Sequence, residues 1–403
     1  MAKKSPLEIK AGCTVKAAPA EVYRMLTNST HLREWLADVA LASAHEGGQI
    51  YLRWNDGYAA TGSFTRLEPG ERVAFSWRGS EEPGVTQVDI EIASDQQGSK
   101  VSLLHSGFGE GKRSRKAAKD LRRAWASSME NLVSVMETGE DLRFTRRPML
   151  GVSAQQEVDA ERAAKLGLPV THGIELSSVV PGMGAEAAGL RGGDVLVRVG
   201  GAEIFDWSAL GAALQVHRAG DTIPVVFYRD GSEHRAEMTL SARPLPDVPA
   251  TASALATYVR KLYSEFDAQL AACFEGVSEE AAGRKPAPDA WSAKEVLAHL
   301  LDGEGDGHSW ITELVMGVER LYDTGFGNSD LRVAVTAWSY PTVAEMLAAL
   351  RHLEEETLSI LEQLPAEFVA RKSSFWRLAY GYTQNDQHNH EHIEQIKAAL
   401  AAG

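Results

Sequence analysis

The segment His388-Asn389-His390-Glu391-His392 sets two imidazoles four residues apart. On a helix, His388 and His392 share one face, one turn above the other, while His390 falls on roughly the opposite side. Two imidazoles so placed can hold one transition metal ion at about 2.0–2.1 Å. A third stands far upstream, His299 in Trp291-Ser292-Ala293-Lys294-Glu295-Val296-Leu297-Ala298-His299-Leu300. Three protein ligands leave a coordination position open, the pattern of a working site rather than a purely structural one. A metal there would polarise a substrate oxygen or lower the pKa of bound water towards about 7, or it would hold a thiolate from a small thiol cofactor. Zinc and nickel both suit three imidazoles. Glu391 is a candidate to assist proton transfer, Asp302, Glu304 and Asp386 are candidates to orient ligand imidazoles, and His308 is a less favoured substitute ligand on a loop. The same letters spell His-x-x-Glu-His, the inverted zinc-protease signature. That class takes its third ligand from well downstream, where only Glu394 is offered and lies too close, so a protease is not expected.

Positioning these histidines requires more than one core, because 403 residues exceed an ordinary single domain. Hydrophobic content of 44% and charged content of 24% are those of a globular protein. No apolar run approaches a membrane span, and the first residues lack the apolar stretch of a secretory signal. Cys13 and Cys273 cannot form a disulfide framework, so the cytoplasm is the expected compartment. The net charge of −14 is concentrated in residues 245–403, which carry 12 Lys+Arg against 24 Asp+Glu. That balance argues against nucleic acid as a partner of the last third.

Pro- and charge-rich stretches at 139–148 and 244–249 divide the chain into three modules. In the first, a strand is expected over 7–15, a helix over 19–26, strands over 49–54, 59–67, 72–78, 86–92 and 100–106, and a helix over 112–137. Leu121, Trp125, Met129, Leu132, Val133 and Met136 make one stripe of that last helix. The stretch Val15-Lys16-Ala17-Ala18-Pro19-Ala20-Glu21-Val22-Tyr23, Trp35, and the run from Gly62 to Trp77 with Glu68-Pro69-Gly70-Glu71-Arg72 resemble the START-like (SRPBCC) superfamily. The resemblance is to homologues of the activator of the heat-shock protein 90 ATPase. It implies an α+β helix-grip fold over 1–142, a chaperone or small hydrophobic ligand as partner, and an apolar cavity that Trp54, Phe64, Phe75, Trp77 and Trp125 could line. Filling the core is the equal alternative for those aromatics.

In the second module, Met149-Leu150-Gly151-Val152 precedes Ala188-Gly189-Leu190-Arg191-Gly192-Gly193-Asp194 and, later, Arg229-Asp230-Gly231. This resembles a PDZ domain of the bacterial, protease-associated type over 147–243, a β-sandwich-like fold with helices. The resemblance implies binding of a peptide or protein C-terminus as an added strand, with Met149, Leu150, Gly151 and Val152 as the carboxylate cradle. No Gly-x-Ser-x-Gly nucleophile context accompanies it.

In the third module, Leu255, Val259, Leu262, Phe266 and Leu270 mark an amphipathic helix, and Ser292-Ala293-Lys294-Glu295 is a capping box for a second. Further helices are expected over 342–364 and from the 388–392 histidines to about 400, giving an all-α four-helix bundle. Trp-Ser-x-x-Glu-Val-Leu-x-His-Leu at 291–300 and His-x-x-x-His-Ile-x-Gln-Ile at 388–396 resemble the two metal segments of the DinB-like family over 250–403. By that resemblance His299, His388 and His392 are the metal ligands. It implies a metal-dependent hydrolase, or a transferase using a low-molecular-weight thiol. A non-catalytic adaptor or co-chaperone is the alternative; DinB-like bundles and PDZ modules can both dimerise, which leaves a homodimer open.

Overall fold

The computed structural model describes residues 7–288, 290–320 and 330–402, without the side chains of residues 154, 155 and 385–387. The chain divides into two compact units. The first gathers residues up to Thr27, Trp35–Val135 and Glu140–Leu245; the second gathers Asn28–Glu34, Met136–Gly139 and Pro246 onward. No single described helix is long and apolar enough to cross a membrane.

The first module is a seven-stranded antiparallel sheet and three helices. Its elements are β1 (Ile9–Val15), α1 (Pro19–Thr27), α2 (Ser29–Trp35), β2 (Val39–Ala42), β3 (Gln49–Arg53), β4 (Ala59–Glu68), β5 (Arg72–Gly79), β6 (Thr86–Asp95), β7 (Gly98–Ser106) and α3 (Lys112–Glu137). The strand order is β1-β7-β6-β5-β4-β3-β2. Strand residues alternate between core and solvent, and α3 buries Leu121, Trp125, Met129, Leu132 and Val135. Val135 thus takes the core position expected of Val133, because the three-residue step from Leu132 continues the buried stripe. Two elements escape the sequence pattern, α2 and β2, both too short to show a period.

His105 on β7 illustrates how this core treats a polar group. Trp125 Nε1 donates to His105 Nδ1 at 3.1 Å, so the ring proton sits on Nε2. Nε2 then donates to Thr86 Oγ1 at 2.7 Å, and that hydroxyl donates to the Trp77 carbonyl at 3.2 Å. Burial pushes the imidazole down to about 4. The unfolded chain therefore binds a proton first as pH falls below 6.5, and stability is lost between there and about pH 4. At pH 5 the loss is about 2 kcal/mol. A urea-midpoint comparison at pH 7 and pH 5 is expected to show this drop in the wild type and not in His105→Gln.

The second module comprises α4 (Leu142–Thr145), β8 (Val152–Glu157), α5 (Ala160–Lys165), β9 (Ile174–Val179), α6 (Gly184–Ala187), β10 (Val195–Val199), β11 (Ala202–Glu203), α7 (Trp207–Gln215), β12 (Thr222–Arg229) and β13 (Ser232–Thr239). The sheet order is β13-β12-β10-β9-β8, with β11 on β10. Asp194 is fully buried, yet its carboxylate is satisfied by the Arg229 fork at 2.7 Å and by the Arg191 N–H at 2.8 Å. The β12–β13 hairpin turns on Asp230-Gly231, both at positive φ, the chemistry of a two-residue turn.

The third module is helical: α8 (Ala252–Phe274), α9 (Glu279–Gly283), α10 (Ala293–Met316), α11 (Asp330–Ser339), α12 (Val343–Glu362), α13 (Ala366–Ala370), α14 (Lys372–Thr383) and α15 (Asn385–Ala401). Capping boxes Ser292/Glu295 and Thr342/Glu345 start α10 and α12. The α8 stripe runs Leu255, Val259, Tyr263, Phe266 and Leu270, with Tyr263 in the core position expected of Leu262. Tyr263 earns burial by donating its hydroxyl to Glu304 Oε1 at 2.6 Å. The same compact unit takes in the polar face of α2. Glu34 is 2% exposed and accepts from His31 Nδ1 at 3.0 Å, Ser373 Oγ at 2.7 Å and Ser374 Oγ at 2.6 Å.

Candidate metal centre and peptide groove

His299 lies in the second turn of α10, and His388 and His392 stack one turn apart on α15. Helix packing brings the three rings together. One nitrogen from each lies within 4.8 Å of the others, and His388 Nε2 and His392 Nε2 are 3.1 Å apart. Two ligands on a tetrahedral ion at 2.0–2.1 Å would be separated by about 3.3 Å, so the pair already has near-ligating spacing. His299 is buried, His392 half-buried and His388 exposed.

Gln395 supplies what ligand identity alone does not. His392 Nδ1 is 3.0 Å from Gln395 Oε1. Assigning the proton to Nδ1 makes this a donated hydrogen bond and leaves the Nε2 lone pair directed at the cluster. Burial pushes His392 down to about 4, with the neighbouring His388 and His299 adding to the effect. Burial and His299 likewise lower His388. Neutral imidazoles are metal-binding imidazoles, so the donor set fits a divalent transition metal. The role of Gln395 was readable only as its i+3 spacing from His392.

The remaining candidates separate. Glu391 is exposed on α15, beside His388 and His392, whose protonated forms its charge favours. Glu304 faces away from His299, accepting from Tyr263 and Thr357. His308 is on α10 rather than a loop and contacts Thr357 Oγ1 at 2.8 Å. Asp302 is held by α11, not by an imidazole: Thr336 Oγ1 donates to its Oδ1 at 2.9 Å. The side chain of Asp386 lies outside the described residues.

In the second module, Met149, Leu150, Gly151 and Val152 form the turn into β8. The Leu150 carbonyl accepts from Ala185 N and the Gly151 carbonyl from Val180 N, each at 2.8 Å. In a trans peptide the N–H points opposite to the C=O. The Gly151 and Val152 N–H groups therefore point away from these inward bonds, as a carboxylate cradle requires. Gly151 has φ +80°, and a Cβ there would lie 2.2 Å from Met183 Cβ, so no other residue fits. β8 ends its sheet, leaving an edge for an added strand. Beside it, Trp207 N donates to Glu157 Oε1 at 3.0 Å, and the Arg147 guanidinium rests against Gly211 of α7. Arg147 is a candidate missed in the sequence, where it reads as part of a charged linker.

In the first module, Phe64, Phe75, Trp77 and Trp125 are buried and Trp54 half-buried. They form one cluster that branches at Trp77, with centroid separations of 6.0 Å (Phe64–Phe75), 6.3 Å (Phe75–Trp77), 6.2 Å (Trp54–Trp77) and 5.7 Å (Trp77–Trp125). The indole N–H groups are taken by Leu36 O, Tyr58 Oη and His105 Nδ1. A separate groove of about 550 Å³ runs between β1 and α3, where Cys13, Met129, Val133 and Arg122 line it and none of the five aromatics does.

Residues 16–137 match the family model described as activator of Hsp90 ATPase homolog 1-like protein, 148–240 the PDZ domain and 262–396 the DinB superfamily. The chain thus contains these three domains in that order, and DinB-superfamily domains are typically metal-binding. A curated relative is the serine protease Do-like HtrA of Lactococcus lactis subsp. lactis, 32% identical over 120 residues, 29% of each chain. Another is a probable periplasmic serine endoprotease DegP-like of Marinomonas, 33% identical over 130 residues, 32% of this chain and 28% of that protein. The chain therefore spans less than a third of the length of these relatives. Among solved structures, the Aha1 dimer from Colwellia psychrerythraea is 21% identical with a TM-score of 0.30, covering 32% of this chain and 96% of that one.

Proposed function

From a chain that joins an Hsp90-activator-like domain, a PDZ domain and a DinB-superfamily bundle, we propose a cytoplasmic bacterial protein whose chemistry resides in the bundle. His299, His388 and His392 would hold one zinc or nickel ion, with Gln395 orienting His392. When bound, the metal supplies a Lewis acid for a hydrolytic step or for activation of a low-molecular-weight thiol in a transfer. The observation that carries this reading is the convergence of three imidazole nitrogens, one of them oriented by a carboxamide. Glu391 stands at the exposed side of the pair and is the proposed proton carrier. The deciding experiment screens ester, amide and thiol-transfer substrates with metal-loaded, chelated and reloaded protein. Turnover that follows the metal supports the enzyme; none with any substrate, while metal stays bound, favours the adaptor.

The PDZ module would recruit a peptide C-terminus along β8, its carboxylate on the Gly151 and Val152 N–H groups with Arg147 adding positive charge. Arg147→Ala is expected to weaken a C-terminal peptide about tenfold in fluorescence polarisation, the scale of one charge-assisted hydrogen bond. A C-terminally amidated peptide should bind weakly and show no dependence on Arg147; equal sensitivity of both peptides would remove Arg147 from the cradle. The first module would take a chaperone or a small hydrophobic ligand, and native mass spectrometry of the purified protein tests the latter.

A further inference from the structure

The face of α10 that carries His299 continues one turn on with Asp302 and Gly303. Asp302 is 8% exposed. Its Oδ1 accepts from Thr336 Oγ1 at 2.9 Å and pairs with Arg332 Nε at 3.4 Å. Arg332 also reaches the Asp302 carbonyl at 3.2 Å and forks onto Asp306 at 2.9 and 2.7 Å. Among the described residues, Oδ2 of the same carboxylate is buried without a hydrogen-bond partner. Folded proteins keep few such orphans, because a buried acceptor stripped of water and left unpaired is costly. Next to it Gly303 is exposed, and a Cβ built there would meet nothing within 4 Å. Access to Oδ2, which is itself buried, would come from the Gly303 side, where α10 carries no side chain. Helical spacing puts the Cβ atoms of residues 299 and 302 about 5–6 Å apart, within reach of one small ligand.

We propose that Asp302 is a substrate-contacting residue whose Oδ2 accepts a hydrogen bond from an N–H, O–H or S–H group of the molecule bound beside His299, His388 and His392. Thr336 and Arg332 anchor Oδ1 and so set the direction of the carboxylate. The inference rests on the metal-centre reading and adds to it a ligand class: molecules bearing a proton on the atom next to the one the metal holds. Small anions without a hydrogen gain nothing from Oδ2 and meet its charge.

Cobalt(II)-loaded full-length protein tests this, because visible absorption reports ligands entering the open position. Acetohydroxamic acid keeps an N–H donor when bound; azide has none. D302A is expected to weaken acetohydroxamic acid about ten- to a hundredfold, the scale of a hydrogen bond to a charged group. Azide should be unchanged or tighter, and cobalt affinity should stay within about twofold. T336V, which loosens the anchor, should lower the preference for acetohydroxamic acid by a smaller factor. Equal weakening of both probes, or no change in either, overturns the proposal. If D302A does not fold, Asp302→Asn keeps the side-chain volume, and the preference should still fall about tenfold. A wild type that takes up no cobalt would overturn the metal centre itself, and the proposal with it.

Discussion

Protein purified without a histidine tag is expected to carry close to one zinc or nickel per chain, and His299→Ala, His388→Ala and His392→Ala each to lose it. Structural zinc sites contribute about 10–16 kcal/mol of apparent binding energy, so one of three ligands is worth about 3–5 kcal/mol, a fall of about 10²–10⁴ in affinity. Gln395→Ala should cost less, about 10–100-fold, because it only frees the ring of His392 to rotate and change tautomer. His390→Ala is the control: its ring projects from the other side of α15 and its loss should change nothing. Protons compete with metal for imidazole. Burial holds His392 at about 4 and lowers His388, so uptake should persist at pH 6, where an ordinary imidazole pair is largely protonated. Elemental analysis of the dialysed variants decides. Wild type without metal after reconstitution would leave an adaptor built of peptide- and ligand-binding modules.

Glu34→Ala should destabilise the second compact unit by about 3–5 kcal/mol, the cost of breaking a buried charged network from one side. Burial alone would raise this carboxyl, but the His31 hydrogen bond and charge, with the Ser374 and Ser373 hydroxyls, outweigh it and hold the group below its ordinary value. The alanine variant strands these donors in a dry site. Glu34→Gln keeps the shape and loses the charge, and should fall between. Since the folded value is depressed, the contribution is present above the unfolded value of 4.5 and fades as pH falls through the folded one. Hydrogen exchange over α14 measures it directly: amides of Lys372–Thr383 should exchange faster in Glu34→Ala at constant pH. Unchanged protection there would mean that Glu34 does not tie α2 to α14.

Long periodic elements were legible before folding. The stripe of α3, the capping box of α10, and the alternating strands β4 to β7 each carry a local signal strong enough to survive in context. Short elements were not. α2 is seven residues with Leu32 and Trp35 as its main apolar side chains, and Thr30, His31 and Glu34 read as a solvent face. The Glu34 carboxylate is satisfied by Ser373 and Ser374, some 340 residues away, and Thr30 by the Glu319 N–H, and no local pattern announces that. The same limit explains Arg147, whose position against Gly211 depends on how α7 docks.

For the bundle, spacing alone placed His388 and His392 on one face and His390 on the other, because a helix has one period. Spacing alone could not say whether His299 joins them, since that depends on α10 and α15 packing with the right faces inward. Nor could it sort the acidic residues of α10, which alternate with glycines and look equivalent in the chain. Packing gave Glu304 to Tyr263 and Thr357, gave one oxygen of Asp302 to α11, and left the other oxygen buried without a partner among the described residues. Residue type and helical period are local properties; the partner of a buried polar atom is set by distant segments that arrive only when the core closes.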